Sequence, residues 1–249
     1  MKLLTFSPMV DSECTRLVLT HYEIPFDERD HIFGLASLLT FLHGGYGRIP
    51  LVYGDGLRSS GPRRTVDKLD AKMGDRRLIP LDPSIRSEVE QSWALYNGQL
   101  AADVAVFAYY HLLPDRKIMV DALRRPIIGI EQKWVGATYT PVRLMLRALL
   151  RLTSERAADA LSRIRKTLDF TDKVVGDGRS HLHGEGVTLA DLGLVSALAP
   201  LAVPHRYEQR VPPVEQMPDE LRKVVLETRH RPVSKFADGI IRMVEGQIG

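Results

Sequence analysis

Short apolar runs alternate with helical spacings of apolar residues over the first third of the chain. The pattern predicts a strand, a helix, a second strand and a second helix, then two strands joined by a tight turn and a third helix. The predicted strands are 2–6, 24–30, 49–53 and 57–58, and the predicted helices are 12–22, 34–43 and 62–73. The turn falls on Gly54-Asp55-Gly56, where two glycines suit a hairpin. This β-α-β-α-β-β-α order is typical of a thioredoxin-like domain.

The rest of the chain carries only the period of helices. Helices are predicted at 84–113, 117–130, 141–152, 154–175, 189–201 and 219–245. Between the two patterns, residues 75–82 are rich in charge and contain Pro80, as expected of a linker with little structure. We therefore predict an α/β domain over 1–76, a linker over 77–84 and an all-helical domain over 85–249.

The composition predicts a protein that folds by packing alone. Its 249 residues are 44% apolar, which is enough to bury a core, and the single cysteine excludes an intramolecular disulfide framework. That residue, Cys14, shares one helix face with apolar neighbours, so we expect it in the core rather than as a reactive thiol. His181 and His183 have no third ligand close in sequence, and we expect no metal.

The charge and the apolar runs indicate where the protein works. The net charge of +3, with both signs interspersed, gives no reason to expect a nucleic-acid surface. Residues 1–8 contain too short an apolar run for a signal peptide, and no stretch approaches the ~18 apolar residues of a membrane span. These features and the single cysteine predict a cytoplasmic protein.

Three features, in order along the chain, resemble the glutathione transferase family. Residues 16–26 (RLVLTHYEIPF) look like the first helix of that family and the turn after it, and Ile49-Pro50 introduces an apolar strand. In segment 184–191, Thr188 and Asp191 have the spacing of a capping box at the start of an apolar helix. The resemblance covers nearly the whole chain and implies an α/β thioredoxin-like N-terminal domain followed by an all-α C-terminal domain.

The resemblance also implies a function. Members of this family bind glutathione as a co-substrate and add its thiolate to a small hydrophobic electrophile, and they are commonly homodimers. We keep one alternative, a protein of the same fold that has lost the usual glutathione site and serves as a non-catalytic binding or assembly module. Fold alone does not choose between them, because the chemistry resides in the site.

For the glutathione site, the resemblance points to Arg48, Ile49, Pro50, Ser59, Ser60 and Gly61. In the family, the backbone of the pair at Ile49-Pro50, joined by a cis bond, holds the cysteinyl part of glutathione like an added strand. The acidic-Ser pair that usually binds the γ-glutamyl group falls on Gly61-Pro62, whose side chains cannot do that work. Ser60 at the N-terminus of a helix is the expected substitute, since this position suits a carboxylate. The alternative is that Ser60 only caps the helix.

The catalytic hydroxyl or thiol of the family also has no clean counterpart. The spacing puts that position at Thr5 for one class of enzymes, and at Met9 or Val10 for another. Ser7 and Ser12 lie on either side and are the candidates for stabilising the thiolate. Ser7 is preferred because it directly follows the first strand, whereas Ser12 could serve as an ordinary helix cap.

The second substrate is expected between the domains, against the first long helix of the helical part. Met9, Tyr109, Tyr110 and His111 are the candidate wall residues, although large aromatics on long helices often belong to the core. We expect no membrane association and no nucleic-acid partner.

A cationic stripe marks one predicted helix of the second domain. Arg143, Arg147 and Arg151 recur at four-residue spacing beside several leucines. Such a stripe is most often a solvated face, and it could also attract an anionic substrate or a membrane surface.

Overall fold

The computed structural model describes residues 1–246. Its first part contains the elements β1 Lys2–Thr5, α1 Val10–His21, β2 Asp27–Asp30, α2 Phe33–Leu42, β3 Leu51–Gly54, β4 Leu57–Ser60 and α3 Pro62–Leu69. The four strands form one sheet of order β2-β1-β3-β4, in which β2 is parallel to β1 and the other pairs are antiparallel. The predicted order of elements is confirmed.

The register of the sheet brings three chain segments together at one end of its strands, which we call the sheet edge. Leu4 of β1 lies opposite Leu51 of β3, and Leu51 lies opposite Ser60 of β4. The end of β1, the start of β3 and the end of β4 therefore meet. Strand pairing alone therefore assembles the segments from which a site at the sheet edge would be built.

The second part of the chain is helical, as predicted. Its helices are α4 Pro83–Trp93, α5 Ala101–Leu112, α6 Arg116–Arg124, α7 Val135–Leu149, α8 Ser154–Val175, α9 Leu189–Ala202, α10 Asp219–Arg229 and α11 Pro232–Gly246. A π-helical segment, Ala94–Leu100, joins α4 to α5, so the predicted helix 84–113 is continuous but changes its winding. Short 3₁₀ turns precede α7 at Gly129–Lys133 and α10 at His205–Arg210 and Val214–Gln216. No helix within residues 1–246 has the length and apolar character needed to cross a bilayer.

Proline explains where other predicted helix limits were wrong. The predicted helix 219–245 is two helices, because Pro232 has no amide hydrogen for the ladder and instead opens α11. The predicted helix 117–130 ends at Arg124, since Pro126 has no amide hydrogen with which to continue the helical ladder. In contrast, α7 begins at Val135 and runs through Pro141, which was expected to start it.

Helix α9 forms the centre of the core. Every residue from Leu189 to Ala199 is buried, and α9 packs against α1, α4, α5, α10 and α11. Its start is fixed by the predicted capping box, which is confirmed. The Thr188 amide and hydroxyl both donate to Asp191 Oδ2, at 2.8 and 2.7 Å, and the Leu182 amide donates to Oδ1 at 2.8 Å. Both oxygens of the fully buried Asp191 carboxylate thus accept hydrogen bonds.

The segment between the two parts is anchored on both sides. The amide of Leu78 donates to Asp70 Oδ1 at 2.6 Å, and the carbonyl of Leu78 accepts from the amide of Leu189 at 2.8 Å. The division into 1–76, 77–84 and 85–249 stays a prediction. Cys14 is fully buried among apolar side chains, as predicted, and burial raises the pKa of its thiol.

Candidate functional site

The candidate site begins at the sheet edge where β1, β3 and β4 meet. The Ile49–Pro50 peptide bond is cis, and the amide of Gly61 donates to the Pro50 carbonyl at 2.9 Å. Among the hydrogen bonds described for residues 1–246, none uses the amide or the carbonyl of Ile49. An extended ligand could therefore pair with Ile49 as a further strand pairs with a sheet edge.

The side chains expected at this edge have different surroundings. The Ser60 hydroxyl donates to the Gly45 carbonyl at 3.3 Å, whereas the buried Ser59 Oγ has no hydrogen-bond partner among the described residues. Gly61, with φ of 83°, is the N-cap of α3, so Ser60 does not cap that helix. Arg48 is exposed. These residues share the edge, and their binding of glutathione stays a prediction.

The N-terminus of α3 presents free backbone donors. Its first residue is Pro62, which has no amide hydrogen, and the Thr65 amide donates to the Gly61 carbonyl at 3.2 Å. The amides of Arg63 and Arg64 have no acceptor among the described backbone bonds. Free amides at a helix start favour an anion.

Ser7 and Ser12 are both buried but differ in what their hydroxyls do. Ser12 donates to the Phe6 carbonyl at 3.1 Å, so its hydrogen is already used, and Met9 rather than Ser12 is the N-cap of α1. Ser7 Oγ accepts from Arg210 Nη1 at 2.7 Å and from Arg16 Nη2 at 3.4 Å. Because both partners are donors, the hydrogen of the Ser7 hydroxyl remains free for an acceptor.

The guanidinium groups beside Ser7 belong to a buried charge network, which we name the interdomain ion cluster. It consists of the cations Arg16, Arg206 and Arg210 and the carboxylates Glu13, Glu28 and Asp30. Arg16 is 2% exposed, and its Nη1 lies 2.9 Å from Glu13 Oε2 while its Nη2 lies 2.6 Å from Glu28 Oε1. Arg206 Nε reaches Glu13 Oε1 at 2.8 Å across more than 190 positions of sequence. The cluster therefore fixes the segment before α10 against β1, α1 and β2.

The two strand carboxylates in this cluster titrate in opposite directions. Burial would raise the pKa of Glu28, but Arg16 and Arg210 outweigh it and hold that pKa below its ordinary value. Burial raises the pKa of Asp30, and the neighbouring charge of Glu28 raises it further. Thr5 Oγ1 lies within hydrogen-bond reach of both, at 2.9 Å from Glu28 Oε1 and 2.7 Å from Asp30 Oδ1. Glu28 therefore keeps its charge to lower pH than Asp30 does.

A cavity of about 340 Å³ lies between the sheet edge and the helices. One wall is the loop after β1 with the start of α1, and the opposite wall is α5 with parts of α6 and α7. Its loop-side wall is formed by Phe6, Pro8, Met9, Val10 and Asp11. Small residues at helical spacing, Ala101, Ala105 and Ala108, leave the space open along α5. The cavity suits a small apolar ligand.

A few polar groups interrupt this apolar lining. The Tyr109 hydroxyl and the Asn97 Oδ1 atom are buried without a hydrogen-bond partner among the described residues, and both residues line the cavity. Burial raises the pKa of Tyr109 and also that of Asp11, whose Oδ1 accepts from Asn97 Nδ2 at 3.2 Å. Unpaired buried polar atoms are rare, so these two mark where a ligand would complete the hydrogen bonding.

The structure divides the residues expected to bind the second substrate between two cavities. Met9 and Tyr109 line the main cavity, and a smaller neighbouring cavity is lined by Tyr109, Tyr110 and His111 together with Arg147. Tyr109 thus belongs to both spaces. The role of these residues stays a prediction.

Sequence reasoning included Tyr109 but missed the interdomain ion cluster and two further polar residues of the cavity, Asn97 and Asp11. Arg206 and Arg210 lie in the segment HRYEQR after Pro204, which had no recognisable motif. The alternation of charges there was the available signal, but nothing in it indicated contact with residues 13–30. Asn97 was hidden because it lies in the π-helical segment, where the spacing departs from that of an α-helix.

Comparison with known proteins gives a match in structure but not in sequence. No protein-family model matches the chain, and no curated protein sequence matches it. Among solved structures, the β-etherase LigF from Sphingobium sp. strain SYK-6 is 14% identical, with a TM-score of 0.60 over 95% of this chain and 98% of that one.

Two further solved structures show the same likeness. A glutathione S-transferase from Methylobacillus flagellatus with glutathione bound is 19% identical, with a TM-score of 0.51 over 94% of this chain and 98% of that one. FzlA from C. crescentus is 15% identical, with a TM-score of 0.56 over 93% of this chain and 88% of that one. At these identities the comparisons establish the fold and leave the chemistry to the site.

Proposed function

We propose that this chain, which has the glutathione S-transferase fold, binds glutathione at the sheet edge and adds the thiolate of glutathione to a small apolar electrophile. One observation carries the proposal. The loop 6–9 belongs both to the edge where Ile49 is unpaired and to the wall of the 340 Å³ cavity. A thiol held at that edge would therefore meet an apolar compound in the cavity.

Backbone groups replace the usual acidic-Ser pair in this proposal. The unpaired edge of Ile49 holds the cysteinyl part, and the free amides of Arg63 and Arg64 hold the γ-glutamyl carboxylate at the start of α3. The buried Ser59 hydroxyl, which has no partner within residues 1–246, is a further polar group beside this edge.

The thiolate would be stabilised at the start of α1. The amides of Val10 and Asp11 have no acceptor among the described backbone bonds, and they lie at the positive end of a 12-residue helix. Ser7 adds a hydroxyl hydrogen that is free because Arg210 and Arg16 donate to its oxygen. Bound glutathione supplies the nucleophile: its thiol releases a proton to solvent, sulfur bonds to carbon, and the leaving group departs with the electron pair.

The solved structures support this proposal by likeness alone. One of them is a glutathione S-transferase with glutathione bound, and another is a β-etherase. The proposed electrophile is correspondingly a small, uncharged and largely apolar compound, because the cavity lining is almost entirely aliphatic and aromatic.

A second candidate function is non-catalytic binding through the same cavity. The observation that favours it is the sheet edge itself, where the Ser60 hydroxyl is taken by Gly45 and the next two residues are Gly61 and Pro62. Under this alternative the cavity takes an apolar ligand and glutathione does not bind.

Isothermal titration with reduced glutathione tests the proposal, together with an assay of conjugation to an activated aryl halide. We expect binding in the micromolar to low millimolar range. Ser7→Ala should bind glutathione similarly but conjugate about 100-fold more slowly, because one donor to the developing charge is lost. Its pH–rate profile should also shift to higher pH. Ser87→Ala, on the exposed face of α4, is the matched control and should leave both assays unchanged.

Three other outcomes decide against parts of this proposal. No heat and no thermal shift at saturating glutathione would remove the transferase function. Binding of an apolar fluorescent dye in that same sample would then favour the non-catalytic alternative. Equal activity of Ser7→Ala and wild type would remove Ser7 from the mechanism.

We also propose the homodimer that the fold resemblance implies. Sedimentation of the purified chain tests it, and a single species at twice the chain mass is expected. A species at the chain mass over the whole concentration range would contradict it.

A further inference from the structure

We propose that one apolar face of this protein docks on an anionic membrane surface. We name it the α2–α7 surface, and it consists of exposed side chains on α2 and the turn after it, on the loop before α7 and on α7 itself. These side chains are Leu38, Phe41, Leu42, Tyr46, Ile128, Ile130, Trp134, Leu144, Met145 and Leu149. The proposal is independent of glutathione binding, since its test measures attachment to lipid.

The first argument is the concentration of exposed apolar side chains. Ten of the thirteen large apolar residues exposed within residues 1–246 belong to the α2–α7 surface. Leu42 and Leu149 are 68% and 67% exposed. Scattered surface leucines need no explanation, but such a concentration of them on two neighbouring helices and the segments beside these helices is typical of an interaction site.

The second argument is that the two helices form one continuous surface. Ile32, Gly34 and Leu35 at the start of α2 line a shallow groove of about 450 Å³ with Trp134 and Met145 of α7. Leu38 and Leu42 follow Leu35 at three and seven residues, so they extend the same helix face.

A polar contact fixes the junction between the two parts of this surface. Glu131 Oε1 lies 2.7 Å from His31 Nδ1, and Glu131 Oε2 accepts from the Ile32 amide at 3.4 Å. Because this contact joins the loop before α7 to the start of α2, both halves of the surface keep one relative position.

The third argument is charge, and it selects the partner. Helix α2 contains no charged residue, and three cations that stand close in sequence to members of the surface, Lys133, Arg147 and Arg151, are exposed without an ion-pair partner within residues 1–246. Leucines in the company of arginines and of the aromatic residues Trp134 and Tyr46 are the composition that binds the headgroup layer of anionic membranes. A second copy seated on the same face would bring these cations together, which disfavours a symmetric dimer there.

The surface is also continuous with the main cavity. Leu146, Leu149 and Leu150 of α7 line the cavity, and Leu149 is at the same time part of the α2–α7 surface. When this face rests on a bilayer, the α7 side of the cavity lies at the lipid boundary. An apolar compound dissolved in the membrane could then reach the cavity with little exposure to water.

Vesicle co-sedimentation of the full chain tests the proposal. The probes are vesicles of phosphatidylcholine alone and of an equimolar mixture of phosphatidylcholine and phosphatidylglycerol. We expect attachment to the mixed vesicles that is at least about tenfold tighter than to the neutral ones, and that weakens as salt is added. In the Trp93→Phe variant, which keeps Trp134 alone, fluorescence should shift to the blue on attachment.

Matched variants separate this surface from general stickiness. Arg147→Gln with Arg151→Gln should weaken attachment about fivefold for each cation removed. Leu42→Ser with Leu144→Ser should weaken it about tenfold. The control Arg86→Gln with Lys166→Gln removes two exposed cations on α4 and α8 and should leave attachment unchanged.

The same experiments can overturn the proposal. Absence of attachment to mixed vesicles would refute it, as would equal loss in the control variant. Self-association that depends on Leu144 and occurs without vesicle attachment would assign the surface to a second copy instead.

Discussion

Two neighbouring regions lie between the sheet and the helices, and they differ in whether their polar groups have partners. The interdomain ion cluster has a buried centre at Glu13, Arg16 and Asp30, and its charges are matched by partners within about 4 Å. The main cavity beside it is apolar and leaves the Tyr109 hydroxyl and Asn97 Oδ1 without partners within residues 1–246. Arg210 touches both regions, since it lines the cavity and joins the cluster.

The difference separates what holds the two parts together from what a ligand would complete. Buried charges are tolerated only where their geometry is satisfied, so the cluster fixes the position of the segment before α10 on the sheet. Unsatisfied groups in an apolar space have a cost in the free protein that a ligand can remove. The cluster should therefore control stability, and the cavity should control binding.

The largest effect is expected from Arg16→Met, which breaks the cluster at its most buried cation. The change leaves Glu13 and Glu28 buried without their closest partner, so the free energy of unfolding should fall by about 3–5 kcal/mol. Urea denaturation followed by circular dichroism measures it.

The control for Arg16→Met is the same substitution at an arginine in a solvent-exposed ion pair. Arg165 lies 3.1 Å from Glu227, and both are about half exposed. Arg165→Met should lower stability by less than about 1 kcal/mol. Equal effects of the two changes would mean that burial of the cluster adds nothing.

A smaller effect, with a defined pH dependence, is expected from Glu28→Gln. The variant should be less stable than wild type by about 2 kcal/mol near pH 7, since Arg16, Arg210 and Thr5 lose an ionised acceptor. Because the folded-state pKa of Glu28 is lowered, the contribution of the carboxylate is present above its ordinary pKa of 4.5 and is lost as pH falls through the folded-state value.

The stabilities of wild type and Glu28→Gln should therefore converge as pH falls below the ordinary pKa of 4.5. Urea denaturation at a series of decreasing pH values measures the convergence. Asp30 acts in the opposite sense, because its raised pKa favours the folded state at low pH and this contribution is lost as pH rises. A difference that grew on acidification would contradict the lowered pKa of Glu28.

The sequence was enough to predict the fold because local signals agreed with long-range packing. The capping box at Thr188 and Asp191, the hairpin at 54–56 and the helical periods after residue 83 each predict an element that is present. The predicted helix limits were wrong near three prolines: α6 ends before Pro126, α7 continues through Pro141, and α11 begins at Pro232. Whether a helix ends, continues or begins there depends on tertiary packing as well as on the proline.

The site was less predictable because its polar groups come from distant segments. Loop 6–9 and Ile49–Pro50 meet at one edge because strand order alone brings them together. The partners of Ser7 could not be found, because Arg210 is more than 200 positions away and carries no motif. Which of Tyr109, Tyr110 and His111 reaches the main cavity depends on the orientation of α5, which apolar spacing fixes only roughly.

Filling the main cavity should weaken the binding of an apolar ligand while leaving the interdomain ion cluster intact. Ala105 lines the cavity on α5, and Ala105→Phe should weaken binding of an apolar fluorescent dye at least tenfold, because the ring occupies the space. Fluorescence titration measures the change, and circular dichroism monitors folding. Ala158→Phe, on the exposed face of α8, is the matched control and should bind the dye as wild type does.

The smallest effect, and the one that most sharpens the contrast between the two regions, is expected from Tyr109→Phe. Because the buried Tyr109 hydroxyl has no partner within residues 1–246, its removal should raise the free energy of unfolding by about 1 kcal/mol. The same change should weaken, by about tenfold, a ligand that accepts a hydrogen bond from this hydroxyl, while an entirely apolar ligand of equal size should bind unchanged. Urea denaturation tests the expected gain in stability, and paired titrations with a ketone and its hydrocarbon analogue test the expected loss in binding. A loss of stability would mean that the hydroxyl is already satisfied in the free protein, and the cavity would then lose its main indication of a polar ligand.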